Sequence, residues 1–187
     1  MKHVVLIVSL LVSSVVFAAP ARVIISRHAE KPDDSIDGSG PDLSPVGFQR
    51  AEALTRLFEI HPEYAQPHLP DDLFAAQYIP GETSNRSIET LTPLAQALRR
   101  PLNTAFSSAN SFEFGQMLLT TPYNGHVIMI AWKHSEIPNI VFGLGASSCP
   151  QKWNSASFDR LWIIDFVDGK AVSCRDVPQS VLPGDSQ

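Results

Sequence analysis

Cysteine is scarce. Of 187 residues only Cys149 and Cys174 carry sulfhydryl chemistry. Two ligands are fewer than a zinc site needs, and no neighbouring motif marks either cysteine as a nucleophile. Runs of lysine and arginine are missing, and the formal net charge is −5. Gripping a phosphate backbone takes clustered cations, so this balance argues against a general nucleic-acid binder. No internal repeat or low-complexity tract occurs. Glycine and proline contents are ordinary, which sets aside collagen-like and disordered chains. With 44% hydrophobic and 18% charged residues, what remains is one globular domain with a sizeable core.

Long apolar runs are also few, and the longest is at the N-terminus. "MKH" is a short positive segment, followed by "VVLIVSLLVSSVVF", 14 residues. Val16 and Ala18 suit the −3 and −1 positions of a cleavage site, and the whole reads as a secretory signal peptide cut after Ala18. The alternative, a membrane anchor, asks this stretch to cross about 30 Å of hydrocarbon, for which it is short. The expected organisation is therefore a signal peptide, 1–18, and a working domain, 19–187, periplasmic or secreted, with no stable membrane span. In an oxidising compartment Cys149 and Cys174 are expected to form a disulfide. The loop closed is worth about 3 kcal/mol in the chain-entropy model. The alternative is a pair of buried thiols.

Along the mature chain, "RVIIS" (22–26) is a short β-branched run and reads as a strand buried on both faces. Residues 31–42 are turn-rich. A helix is expected over 44–60, with Ser44 at the N-cap, Pro45 in the first position, and Ala51, Leu54, Leu57 and Phe58 on one face. A second strand is expected over 72–79. The next helix carries Ile88, Leu91, Ala95 and Leu98 at helical spacing, with Pro93 expected to kink or split it. A strand over 102–106, a helix over 111–120, a strand over 126–132 and a short helix after Pro138 follow. "FDRLWIIDF" and "KAVSCRDV" flank Asp168-Gly169, a hairpin signal. The pattern predicts an α/β fold, three-layer, with a mostly parallel central sheet and a C-terminal β-hairpin.

In such sheets sites lie beyond the carboxyl ends of the strands. Arg27 and His28 follow the first strand, Arg86 opens the helix after the second, and His134 follows the strand over 126–132. Alone, each has an ordinary structural explanation. Together they suit phosphoryl transfer to an imidazole. A neutral histidine is a nucleophile near pH 7, two guanidiniums fork onto nonbridging oxygens, and a second, protonated imidazole adds a donor. The charge spread over the transferring group is met without a metal or other cofactor.

These residues carry a resemblance. "RHAEK" (27–31) is similar to the Arg-His-Gly-Glu fingerprint of the histidine phosphatase superfamily, the phosphoglycerate-mutase-like proteins. "LSPVGFQRAEAL" resembles the helix that follows that fingerprint, "SNRSIETLTPLA" the segment bearing the second arginine, and "VIMIAWKHSEIPNI" the strand and loop bearing the second histidine. The match runs over roughly residues 22–142 in the expected order. It implies His28 as the nucleophile that becomes phosphohistidine, with Arg27, Arg86 and His134 holding the phosphoryl group of a small phosphorylated substrate. It departs at Ala29, where the family has glycine, and at Lys133, where many members have glycine. The short interval from Arg86 to His134 lacks a lid insertion, as in the compact members, and implies an open site.

The leaving group's proton donor is less well marked. Glu113 and Glu136 stand near where different branches of the family place an acid, and Glu113 is preferred. Some compact members lack a donor and favour good leaving groups such as phosphohistidine. Ser44 and Gly47 read as helix-start structure, and Glu30 and Lys31 as an ion pair or pocket-entrance residues. A retained bisphosphate and cytosolic sugars, which a mutase needs, fit poorly with export. The expected activity is thus that of an exported phosphoric monoester hydrolase. One rival is a non-catalytic phospho-ligand binding module on the same fold. Another is a metal-dependent hydrolase built on His61, His68, Glu63 and Asp71, although a solvated loop explains those residues better. His126 needs only a packing or edge role.

Overall fold

The computed structural model describes residues 18–32 and 40–186. The N-terminal apolar stretch read as a signal peptide, apart from Ala18, lies outside the described residues, as does the middle of the loop expected over 31–42. Among the described residues no helix is long and apolar enough to cross a membrane.

Six strands form one sheet in the order β3-β2-β4-β1-β5-β6. At its centre β1 (Arg22–Arg27) runs parallel to β4 (Val127–Trp132), from Arg22 opposite Val127 to Arg27 opposite Trp132. Every residue of both strands is buried, which is why each reads as a near-continuous apolar run. On one side β2 (Asp72–Ala75) pairs parallel with β4 and with β3 (Leu102–Asn103). On the other, β5 (Arg160–Val167) and β6 (Lys170–Pro178) add antiparallel. Their turn, Asp168-Gly169, has φ of 50° and 77°, the left-handed pair that a two-residue hairpin matched to strand twist requires.

Strand periodicity divides the core into two layers. Val23 and Ile25 face Ile128, Ile130 and Trp132, and pack with Phe114 and Leu118 of the α4 region (α4, Ser111–Met117) and Ile137 and Ile140 of α5 (Ile137–Gly143). Ile24, Met129 and Ala131 point the other way, against Leu54, Leu57, Leu91 and Leu94. Those leucines belong to the segment containing α1 (Pro45–Ala53) and α2 (Leu57–Ile60), and to α3 (Arg86–Leu98). The three layers are helices, sheet, helices. This is the α/β arrangement with a mostly parallel sheet and closing hairpin that the strand-helix alternation predicts. Cys149 is bonded to Cys174 of β6, clipping the segment after α5 onto the hairpin.

Several boundaries differ from the sequence expectation. The helix expected over 44–60 is divided by a 3₁₀ turn, Leu54–Arg56. The helix containing Pro93 is neither split nor shortened by it. Pro93 removes one donor, and both it and Glu89, whose carbonyl loses that donor, are partly exposed, so water can take the bond. β2 stops at Ala75 rather than at residue 79, because the chain leaves the sheet for a turn: the Glu82 and Thr83 amides both donate to the Ile79 carbonyl, with Gly81 at φ 82°. β3 is a two-residue edge strand rather than five residues.

The α4–α5 contact depends on two glycines. A Cβ on Gly115 would sit 2.3 Å from the Ile140 carbonyl oxygen, and one on Gly143 would sit 2.3 Å from that of Phe112. Both obstacles are backbone, so the helices would have to separate. Gly115→Ala is therefore expected to lower unfolding free energy by about 1–3 kcal/mol, read from urea denaturation. Undiminished stability would mean that the two helices are not locked at this distance.

Candidate active site

Parallel strands bring their carboxyl ends to one edge. β1 ends at Arg27 and β4 at Trp132, and the His28 amide extends the ladder by donating to the Trp132 carbonyl at 2.9 Å. His28 and His134 follow within two residues of their strands. Arg86 is the first residue of α3. All four of Arg27, His28, Arg86 and His134 line a single cavity of about 310 Å³. Ser84 and Ser87, at the N-terminal end of α3, line it as well, where helix geometry favours anions.

His28 is 5% exposed. Its Nδ1 lies 2.7 Å from the Ala29 carbonyl oxygen. A carbonyl only accepts, so Nδ1 carries the hydrogen and Nε2 keeps its lone pair. Burial, with smaller contributions from Arg27, Arg86 and His134, pushes the imidazole pKa down to about 4, against the Ala29 bond that favours the charged form. At neutral pH the ring is uncharged.

Arg27 is 3% exposed. Its guanidinium carbon lies 3.7 Å above the Phe158 ring, and Nη1 donates to the Ser155 carbonyl. Burial and the neighbouring Arg86 lower its pKa to about 10, which leaves it charged at pH 7. Arg86 is held from the opposite side: Nε donates to the Asp42 carbonyl at 3.0 Å and Nη2 to that of Gly40. Arg27 Nε and His134 Nδ1 are buried without a hydrogen-bond partner among the described residues. His61 Nε2, outside the cavity, is buried without a partner as well.

The expectation of a protonated second imidazole needs correction. Burial, then Arg27, Lys133 and Lys31, push the His134 pKa down. In the unliganded cavity these cations favour the neutral ring, which still donates one N–H.

A set of hydrogen bonds fixes the loop that follows His28. The Ala29 amide donates to Thr90 Oγ1 of α3 at 2.8 Å, and the Ala29 methyl is buried with Leu43 and Ala51. Ser44 caps α1, accepting from the Gly47 amide, while its own amide donates to the Glu30 carbonyl at 2.9 Å. A Cβ on Gly47 would lie 2.3 Å from that same carbonyl oxygen. The Glu30 carboxylate receives Nε and Nη2 of Arg50 at 2.9 and 2.8 Å, and Arg50 also grips Asp185 and Gln179. Glu30 thus pairs with α1, whereas Lys31 and Lys133 line the cavity.

The two carboxylates named from sequence are elsewhere. Glu113 is exposed on α4 and does not line the cavity. Glu136, at the N-terminus of α5, accepts from Ser135 Oγ and Asn139 Nδ2 and does not line it either. The carboxylate on the cavity wall is Glu82. Sequence reasoning missed it because it belongs to no recognised motif. The available signal was its position in the turn after β2, at the carboxyl edge, four residues before Arg86. His61 stacks on Tyr64 and faces Glu63, His68 faces Asp71, and His126 meets Asp72 at 2.7 Å. Among the described residues no three His, Cys, Asp or Glu side chains are grouped as metal ligands would be.

Neither a family model nor a curated protein matches the chain. Solved structures do. The protein histidine phosphatase SixA complexed with tungstate superposes with a TM-score of 0.55 at 14% identity, covering 84% of this chain and 97% of that one. A phosphoglycerate mutase from Bacillus anthracis gives 0.55 at 12% identity over 89% and 96%. A phosphoserine phosphatase variant from Entamoeba histolytica, bound to phosphoserine, gives 0.51 at 14% over 82% and 95%. The chain has the phosphoglycerate-mutase-like fold that these structures share. At these identities the likeness concerns the fold, and the chemistry of this member of the fold rests on its own cavity.

That cavity makes a direct demand on His28. Its imidazole, followed by NMR in the unliganded protein, is expected to titrate near pH 4 and stay neutral at pH 5.5, where a free imidazole of pKa about 6.5 is mostly charged. A midpoint at or above 6.5 would contradict the desolvated, cation-flanked environment described.

Proposed function

We propose that the protein is a metal-independent phosphatase, acting on phosphate esters or phosphoramidates through a phosphohistidine formed on His28. The observation that carries this reading is the placement of a neutral imidazole, with Nε2 unprotonated, in one cavity with Arg27, Arg86 and His134. The Nε2 lone pair attacks phosphorus, and the ester oxygen departs on the opposite side. The two guanidiniums and the His134 N–H receive the nonbridging oxygens, where charge is greatest in the transition state. Water then attacks the phosphohistidine and returns the imidazole. The arginines supply the positive charge that a metal supplies in other phosphoryl-transfer sites. Neighbours on the same fold carry tungstate or phosphoserine, oxyanions of the size and charge this cavity suits.

The same reading includes export, with a signal peptide cleaved after Ala18 and a working domain from Ala19 onward. The Cys149–Cys174 disulfide fits a periplasmic or secreted protein. The positions of Glu113 and Glu136 off the cavity favour a second reading, a phospho-ligand binding module without turnover.

Hydrolysis of p-nitrophenyl phosphate in the presence of a chelator separates the readings. Turnover is expected to survive chelation, to vanish in His28→Ala, and to fall in kcat/KM by on the order of 10²–10³ in Arg86→Ala. Full activity of His28→Ala would remove the phosphohistidine route. Phosphate binding without turnover of this or natural phosphates would favour the binding module, and loss on chelation a metal enzyme.

A further inference from the structure

A second cavity, of about 330 Å³, adjoins the first. The two share Glu82, Thr83, Ser84 and Arg86. His28, Arg27 and His134 line only the first, whereas Pro41 and Tyr78 line only the second. Glu82 is therefore at the boundary between the phosphoryl-binding residues and a compartment with a ring-bearing wall. Neither of the carboxylates suggested by sequence has this placement.

The turn that presents Glu82 is well fixed. Its amide donates to the Ile79 carbonyl at 3.0 Å, and the Thr83 amide donates to the same oxygen at 2.9 Å. Thr83 Oγ1 donates to the Gln77 carbonyl at 2.9 Å and accepts from the Ile79 amide at 2.6 Å. A carboxyl on a braced backbone at a cavity boundary is suited to meet one atom of a bound ligand. If phosphorus occupies the first cavity and the remainder of an ester the second, the bridging oxygen lies at the boundary.

We propose that Glu82 is the general acid of the reaction and that the cavity walled by Pro41 and Tyr78 receives the leaving group. This assignment rests on the reading of the first cavity as a phosphoryl site. In the first step His28 Nε2 forms a bond to phosphorus as the phosphorus–oxygen bond breaks. The electron pair goes to the leaving oxygen, which takes the Glu82 proton and departs as an alcohol. In the second step Glu82, now a carboxylate, takes a proton from water as that water's oxygen attacks phosphorus. The nitrogen–phosphorus bond breaks, its electrons return to the imidazole, and inorganic phosphate leaves. Two adjoining compartments near the lower end of the small-ligand range, about 300–1,000 Å³, suit the phosphomonoester of a small alcohol.

The test compares kcat/KM for p-nitrophenyl phosphate, whose leaving group needs little protonation, with that for β-glycerol phosphate, whose alkoxide does. Glu82→Gln is expected to lower the alkyl ester value by on the order of 10²–10⁴, and the aryl ester value by at least about tenfold less. Thermal unfolding of the variant establishes that it is folded. An unchanged ratio of the two substrates, whether both rates fall together or neither does, overturns the assignment. So does a wild-type protein that hydrolyses the aryl ester and no alkyl ester, since no acid is then at work. His28→Ala on the aryl ester distinguishes the deeper failure. Without His28-dependent turnover in the wild type, the phosphatase reading itself falls, and the role of Glu82 falls with it.

Discussion

The site depends on the parallel pairing of β1 with β4. Two fully buried strands in register from Arg22–Val127 to Arg27–Trp132 must end at the same edge. The hydrogen bond from the His28 amide to the Trp132 carbonyl carries that register one residue beyond the strand. A shift by one residue would turn every side chain of β1 to the other face. It would put Val23 and Ile25 where Ile24 now packs and remove Arg27 and His28 from the cavity. Hydrophobic burial on both faces therefore specifies the relative position of His28 and His134. The apolar core and the polar site are consequences of one pairing.

The second constraint is electrostatic. A chain of net charge −5 places Arg27, Lys31, Arg86 and Lys133 around one cavity, with Glu82 on its wall. Burying these groups, and to a smaller extent setting cations beside them, has a stability cost, visible in the lowered pKa values of Arg27, His28 and His134. The surrounding braces offset it. Ser155 and Phe158 hold Arg27, Gly40 and Asp42 hold Arg86, and Arg50 fastens the Glu30 end of the nucleophile loop to α1 and to Asp185 near the C-terminus. Burial, with a smaller share from the same cations, keeps His28 neutral, and the cations prepare the cavity for an anion. That is the preorganisation expected of a site that stabilises charge in a transition state.

Arg27, His28, Arg86 and His134 were legible in the sequence because each sits at a boundary that local rules mark: the end of a buried β-branched run or the start of a helix after a strand. The central strands and the Asp168-Gly169 hairpin were legible for the same reason. The carboxylate on the cavity wall was not. Glu113 follows an expected strand over 102–106, but that strand is two residues long and Glu113 of α4 does not line the cavity. Glu82 reaches the cavity only because the chain turns out of β2 after Ala75, a tertiary choice set by the Gln77 amide meeting the Phe106 carbonyl. Periodicity carries no trace of that contact. The strength of α3 across Pro93 was similarly hidden, since it comes from packing of Ser87, Thr90, Leu91, Leu94 and Ala95 rather than from local propensity.

The central claim is that His28 becomes covalently phosphorylated, and the most direct measurement is the mass of the intact protein after rapid mixing with a phosphate ester and quenching in alkali, where phosphohistidine survives. The account predicts a transient species heavier by one phosphoryl group, localised to the peptide containing His28 and lost on acidification. Turnover without any such species, or with the added group on another residue, would contradict it.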